Sequence, residues 1–358
     1  MTTVALFNIV FVLLAYLAQY KNQEYLLKFS FFLIFLFLAL RYDYGNDYQS
    51  YLNVFLNLER SGSIDRFYDS NDHFELGWLY LCQLFQPLGF FAMVTMLAAF
   101  NCFIYYSFIK KFVPPHYYWF SLLLYTFDPG MMLVHSSAMR QSLAISIFIY
   151  SIEFIYKKNI LLYFLCIGLA SLFHSSAIAL LPIYLLGIYK WRITKKQAIF
   201  ILITYMSLFV FGKKIISSII PFIESYNIKY ELLEEEGVVG SGLGMIFSFF
   251  ILGFILFYDS VETRRNALLF KIASLTYFII PIGLEFASIA RIAMYFQPIT
   301  LAVLPLILVK IKDSRQRILF LFILIIFALW GFYRFFDSEV WVDAFGKYQT
   351  IFSSPEIY

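Results

Sequence analysis

Charge is scarce in this chain. Only 14% of the 358 residues are Asp, Glu, Lys or Arg, while 61% are hydrophobic and the mean hydropathy is +0.76. Soluble domains carry about a quarter of their residues charged, so an ordinary soluble fold is excluded. Cysteine is nearly missing: Cys82, Cys102 and Cys166 each lie in an apolar run, without disulfide or metal spacing, and read as packing residues. The four histidines, His73, His116, His135 and His174, have no companion cysteine or carboxylate pattern, so no metal or other cofactor is expected. HExxH, GxSxG and Walker sequences are absent, which removes the zinc-peptidase, serine-hydrolase and P-loop classes. Nucleic-acid binding has no support, and no repeat or low-complexity tract marks a second domain.

What the chain has instead is a succession of apolar runs near the roughly 20 residues that cross a bilayer as helix. The first, Val4 to Ala18, lacks a basic flank and a small-residue cleavage site, so it reads as a retained helix rather than a signal peptide. Basic residues cluster at Lys110-Lys111, Lys157-Lys158, Lys190 to Lys196, Arg264-Arg265 and Lys310 to Arg317. Two crossings fit between consecutive clusters, and the positive-inside rule puts all five in the cytoplasm. The result is an all-α membrane protein, one polytopic domain over residues 1–358, with twelve crossings near 4–20, 25–40, 89–110, 115–127, 139–156, 160–173, 175–190, 197–212, 243–258, 267–284, 292–309 and 318–333. Both termini then lie outside, with Lys213-Lys214 outside against the rule. Residues 76–88 are too short and too interrupted by Pro87 and Gly89 to span, so they predict a re-entrant or interfacial helix. Outer loops are expected at 41–75 and 213–242 and an outer tail at 334–358. The acidic run Glu234 to Glu236 reads as a solvated face.

One stretch breaks the apolar pattern sharply. RYDYGNDYQSY, residues 41–51, crowds Arg41, Asp43, Asn46, Asp47 and Gln49 among four tyrosines, with Gly45 as a turn. Other polar residues fall at the same depth. Arg140 lies 17 residues before Lys157, and His174 lies 16 residues from both Lys158 and Lys190. Arg291 lies 19 residues before Lys310, and Asp128 lies 17 after Lys111. At a rise of about 1.5 Å per residue, all four sit about 24–28 Å above the basic side, near the far boundary of a hydrocarbon layer about 30 Å thick. Each has a plain reading as well. An arginine near a helix end can snorkel to headgroups, His174 can be an interfacial residue, Asp128 can cap the break at Pro129-Gly130, and Glu75 can belong to a solvated loop. Arg140 resists the plain reading, because the small residues Ser142, Ala144 and Ser146 beside it favour helix contact over lipid, where a lone charge is costly. Arginine forks suit phosphate. Arg140 and Arg291, with Arg41, would make a diphosphate clamp, although phospholipid headgroups or an anionic transport substrate would suit it too.

The order RYDYGNDYQSYLNVF, FELGWLYL, MRQSLAISIFIYSI and ASLFHSSAIALLPIYLL resembles the successive motifs of EpsG-type proteins, which are Wzy-like polymerases of bacterial surface polysaccharides. RIAMYF, from Arg291 to Phe296, is similar to the later Arg/Tyr helix of that family. The likeness runs over roughly residues 30–300. Asn46 stands where the family more often has Thr, and Glu75-Leu76-Gly77 where it usually has Glu-Pro-Gly.

The resemblance implies a GT-C-like membrane glycosyltransferase at the outer face of the bacterial inner membrane. Its donor and acceptor would be undecaprenyl-diphosphate-linked oligosaccharides, in company with a chain-length regulator and a flippase. It implies Arg140, Arg291, Gln141 and Tyr295 on substrate and diphosphate. Arg41 would sit on diphosphate or in an ion pair with Asp43 or Asp47. His174, Asp47 or Glu75 would be the base, and Tyr44, Asn46, Tyr48 and Asp43 would hold sugar. No metal is needed if arginines neutralise the diphosphate. Competing readings are an O-antigen ligase, a membrane-bound acyltransferase, and a flippase or transporter of the lipid-linked unit. Transporters favour repeated halves and a midplane site, and neither feature is evident here.

Overall fold

The computed structural model describes residues 1–20, 23–68, 74–188, 192–224, 242–259, 266–283 and 287–353. The predicted acidic run 234–236, Arg264-Arg265, His73 and the last five residues lie outside the described residues. Helices dominate: α1 (Thr2–Tyr20), α2 (Glu24–Ala39), α3 (Tyr48–Ser61), α4 (Ile64–Tyr68), α5 (Leu76–Phe85), α6 (Phe90–Phe112), α7 (Tyr118–Phe127), α8 (Met132–Ser137) and α9 (Met139–Tyr156) form the first half. The second half holds α10 (Ile160–Phe173), α11 (Ile183–Ile188), α12 (Lys195–Glu224), α13 (Gly242–Asp259), α14 (Ala267–Gly283), α15 (Ala287–Phe296), α16 (Thr300–Lys310), α17 (Ser314–Phe336) and α18 (Glu339–Phe345). Two-residue strands β1 (Arg41–Tyr42) and β2 (Gln349–Thr350) pair antiparallel, Arg41 opposite Thr350.

Among the described residues each predicted crossing overlaps helix, although 175–190 is split into a 3-10 stretch and α11 and 292–309 is interrupted at Gln297–Ile299, and residues 189–190 and 284 lie outside the described residues. Six stretches, Thr2–Gln19, Phe90–Phe112, Lys195–Gly212, Gly242–Asp259, Ile289–Lys310 and Ser314–Phe336, are long and apolar enough to cross a membrane by length and composition. Their outward faces keep Leu13, Phe200, Phe250 and Ile318 more than half exposed. Lipid tails accept such a surface, whereas water penalises it. The chain is a multi-pass helical membrane protein. α5 has ten residues, too few to span. It buries Trp78, Leu79 and Cys82 beside Tyr48, Tyr51 and Met93 in a separate cluster.

The expected loops are more helical than their polarity suggests. The 41–75 loop contains α3 and α4, because Tyr51, Val54, Phe55 and Leu58 recur at helical spacing and bury one face. α12 runs through Lys213-Lys214 to Glu224, so no loop starts at 213. The tail folds back as α18 and β2. Tyr348 stacks on Phe37 at 4.4 Å and 9°, and its hydroxyl donates to the Phe37 carbonyl at 2.7 Å.

The ends of the bundle differ in charge chemistry. At one end Glu24 pairs with Lys28 and Lys110, and Glu153 with Lys111 and Lys157. Glu153 and Arg140 occupy opposite ends of α9, whose 18 residues span about 27 Å. Arg140 therefore belongs to the other end, with the close of α2, the start of α6 and the close of α10.

Candidate active site

Glycine and small residues let the far-end segments approach closely. Gly45 has φ +115°, and a Cβ there would stand 2.8 Å from Ser137 Cβ. Its amide donates to the Ala344 carbonyl at 3.0 Å, and the Asp47 amide donates to Ser137 Oγ at 3.2 Å. The 41–51 stretch is thereby pinned between the α8–α9 junction and the tail. Gly77 plays the same part for α5: a Cβ would lie 2.5 Å from the Leu172 carbonyl oxygen of α10. That approach brings Glu75, just before α5, to the end of α10.

Glu75 is the hub of a polar cluster. One carboxylate oxygen pairs with Arg140 Nη1, and the other accepts the Ser175 amide at 3.0 Å. The second oxygen also stands 3.8 Å from His174 Nδ1. Ser176 Oγ lies 3.2 Å from that same nitrogen and 3.1 Å from the Tyr295 hydroxyl. Arg140 lies over the Phe74 ring at 4.5 Å and the Tyr51 ring at 5.7 Å, a stacked seat that suits a guanidinium. Next along α9, Gln141 Nε2 donates to the Arg291 carbonyl at 2.8 Å, joining α9 to α15. Burial holds His174 below its usual range. Arg140 and Arg291 push the same way, and Glu75 opposes them. Burial likewise holds the Asp47 carboxyl above its usual range, against the pull of both arginines. Arg140 and Arg291 thus act on the same two groups.

Beside this cluster opens a cavity of about 810 Å³. Asn46, Asp47, Asp128, Gln141, Arg291 and Gln297 give its polar lining, and Leu124, Ile280, Met294, Leu304, Leu324 and Phe327 its apolar walls. Asp128 Oδ2 accepts from Gln297 Nε2 at 2.8 Å, and Oδ1 from the Gly130 amide at 3.0 Å. Among the described residues no three His, Cys, Asp or Glu side chains gather as metal ligands.

The structure brings together Glu75, Arg140, His174, Arg291, Asp47, Gln141 and Tyr295 from widely separated segments. Arg41 stays apart. It is 3% exposed, with Nη1 on the Leu38 carbonyl and Nη2 on the Ser136 carbonyl at 3.0 Å. It makes no ion pair with Asp43 or Asp47 among the described residues, because its fork ties the end of α2 to α8. Tyr44 and Tyr48 are fully buried, Tyr44 against Phe345 and Tyr348, Tyr48 against Phe90. Asp43 sits exposed on a turn at φ 43°, and Asn46 alone of the expected sugar ligands lines the cavity. Three contributors escaped the sequence reading. Gln297 was signalled by Pro298 breaking the Arg291 helix, Ser176 by its place two residues after His174, and Ser137 by nothing local.

No characterised protein and no solved structure matches the chain significantly. The family model described as EpsG family matches residues 24–350, which include every residue of this site. The chain belongs to the EpsG family.

Proposed function

We propose that this protein is a polysaccharide polymerase, a membrane glycosyltransferase that joins undecaprenyl-diphosphate-linked oligosaccharide units at the outer face of the bacterial inner membrane. Twelve crossings, both ends outside and a GT-C-like arrangement belong to this reading. The observation that carries it is the cavity of about 810 Å³, whose lining combines arginine, carboxylate and amide groups with apolar walls. A lipid-linked oligosaccharide presents both chemistries, a diphosphate and sugars together with a polyprenyl chain.

The mechanism follows from charge. The donor's anomeric carbon loses its bond to a diphosphate oxygen, and negative charge grows on the leaving group. Arg291 in the cavity lining and Arg140 beside it offer prearranged cationic donors for that charge. Such donors need no reorganisation as the bond breaks, and each contributes about 10²–10³ in rate in comparable sites. Glu75 fixes Arg140 and holds the His174 segment through the Ser175 amide, while Ser176 and Tyr295 steady the imidazole. With both oxygens engaged, Glu75 serves better as the positioning group than as a base. Asn46, Asp47 and Gln141 supply hydroxyl partners for the sugar.

The test is to give purified protein a defined lipid-linked repeat alone and to size the products. A polymerase yields a ladder of repeat multiples. A ligase, a flippase or an acyltransferase yields none, and that result would end this reading.

A further inference from the structure

Two helix breaks face one another across the cavity wall. α7 stops at Asp128, where Pro129 and Gly130 divert the chain, and α15 gives way at Gln297-Pro298 before α16 resumes. Irregular backbone at membrane depth is tolerated where it is buried in protein or lines a polar cavity. The side chains at the two breaks bond to each other and line the cavity. Asp128 is packed in by protein yet keeps surface toward the cavity. Its two protein hydrogen bonds come from neutral groups, and no ion pair reaches it among the described residues. It also ends α7, where the helix dipole is negative. A carboxylate can accept about four hydrogen bonds, so two positions stay open. In the same cavity the Thr276 hydroxyl is buried with no hydrogen-bond partner among the described residues. An uncompensated carboxylate in such a place is costly, and it suits a ligand that brings hydroxyl donors.

We propose that Asp128, braced by Gln297, is the base that takes the proton from the acceptor sugar's hydroxyl. The inference rests on the polymerase reading. The hydroxyl proton moves to an Asp128 oxygen, and the freed electron pair forms the bond from the acceptor oxygen to the donor's anomeric carbon. The anomeric carbon–oxygen bond to the diphosphate breaks, and its electron pair leaves with the diphosphate. Water in the cavity then takes the proton. Asp47 lines the same cavity but lies in the field of Arg140 and Arg291, which pull against the rise that burial gives it. Among the described residues no cation pairs with Asp128. Among the described residues the groups facing it are Gln297 and the Gly130 amide by hydrogen bond and the phenol of Tyr277 of α14, with Arg291 and Asp47 also in the lining.

The experiment uses the full-length protein in liposomes with a defined lipid-linked repeat. Wild type forming a ladder upholds the polymerase reading, and wild type forming none overturns that reading and this proposal together. With wild type active, Asp128→Asn lowers kcat by about 10²-fold or more while KM changes little, because the amide still accepts hydroxyls. A rate near wild type overturns the proposal alone. Gln297→Met removes a donor that stabilises the carboxylate, so the acid limb of kcat/KM moves to higher pH, and it does so in an Asp47→Asn background too. An unmoved limb overturns the proposal, since a purely structural Asp128 would change yield and rate without moving it. This profile decides the matter even where Asp128→Asn fails to fold.

Discussion

Arg140 offers the sharpest separation of fold from chemistry. Its guanidinium pairs with the Glu75 carboxylate and lies over the faces of Phe74 and Tyr51. The pair is mostly buried, with Arg140 24% and Glu75 19% exposed. Arg140→Ala strands Glu75, and breaking a buried pair costs about 3–5 kcal/mol, with the low end apt for this partly exposed one. Arg140→Lys keeps a cation but loses the planar stack, about 1 kcal/mol, and the fork for two phosphate oxygens. We expect Arg140→Lys to fold at near-normal yield and to polymerise about 10²-fold more slowly, the effect of removing one prearranged donor. The decisive variant is Arg140→Ala combined with Glu75→Gln. It removes both charges, so thermal stability in detergent recovers toward wild type, while polymer stays absent. Protein level, melting temperature and product length are read on the same preparations. If the double variant makes long chains at the wild-type rate, Arg140 is only a structural partner of Glu75 and the diphosphate role fails.

Three further outcomes follow from particular contacts. Gly77→Ala drives a Cβ into the Leu172 carbonyl, so α5 must move off α10. We expect about 1–3 kcal/mol of destabilisation and lost activity through a displaced Glu75, which thermal melts and product sizing measure together. Asp47 is held above the usual carboxylate range chiefly by burial. As pH rises through its pKa a negative charge appears beside the anion site, so KM for the lipid diphosphate increases, and Asp47→Asn flattens that increase. Tyr348→Ala removes the stack on Phe37 and the bond to its carbonyl. It lowers activity without touching the cavity, and protease susceptibility of the 41–51 stretch rises in step.

Much of the frame was legible because bilayer physics simplifies it. Apolar length located most of the apolar helices though not α3, α4 or α18, and the depth of Arg140, His174, Arg291 and Asp128 put them in one layer before any contact was known. The site's internal wiring was not legible, since it depends on which way side chains turn. Arg41 and Arg140 look alike in sequence, each a lone arginine at a helix end. One spends its fork on the carbonyls of Leu38 and Ser136, and the other turns one nitrogen of its fork to Glu75. Tyr44 and Tyr48 look like sugar platforms until the tail and α6 cover them, and the partners that cover Tyr44, Phe345 and Tyr348, lie about 300 residues away. Asp128 reads as a cap from its own neighbours Pro129 and Gly130. Its bond to the distant Gln297, at the second helix break, could not be read from those neighbours.

The charge balance of the layer explains why so many segments must meet there. Two arginines alone would burden the empty fold with uncompensated cations. Glu75 pairs with one nitrogen of Arg140, and Asp47 lies in the field of both arginines, so carboxylates offset part of the cluster's positive charge. On the polymerase reading a diphosphate entering it would compete with Asp47 and not with Glu75, because Glu75 is tied by the Ser175 amide as well as by Arg140. Asp47, already biased toward its protonated form by burial, gives up its charge at least cost. On that reading the positive charge it had balanced would then be free for the leaving group as the glycosidic bond breaks. This division gives the two acids different tasks: Glu75 holds Arg140 in place throughout, and Asp47 screens the arginines only until substrate arrives. Substituting Glu75 should therefore lower stability and rate together, whereas substituting Asp47 should alter chiefly the pH dependence of binding.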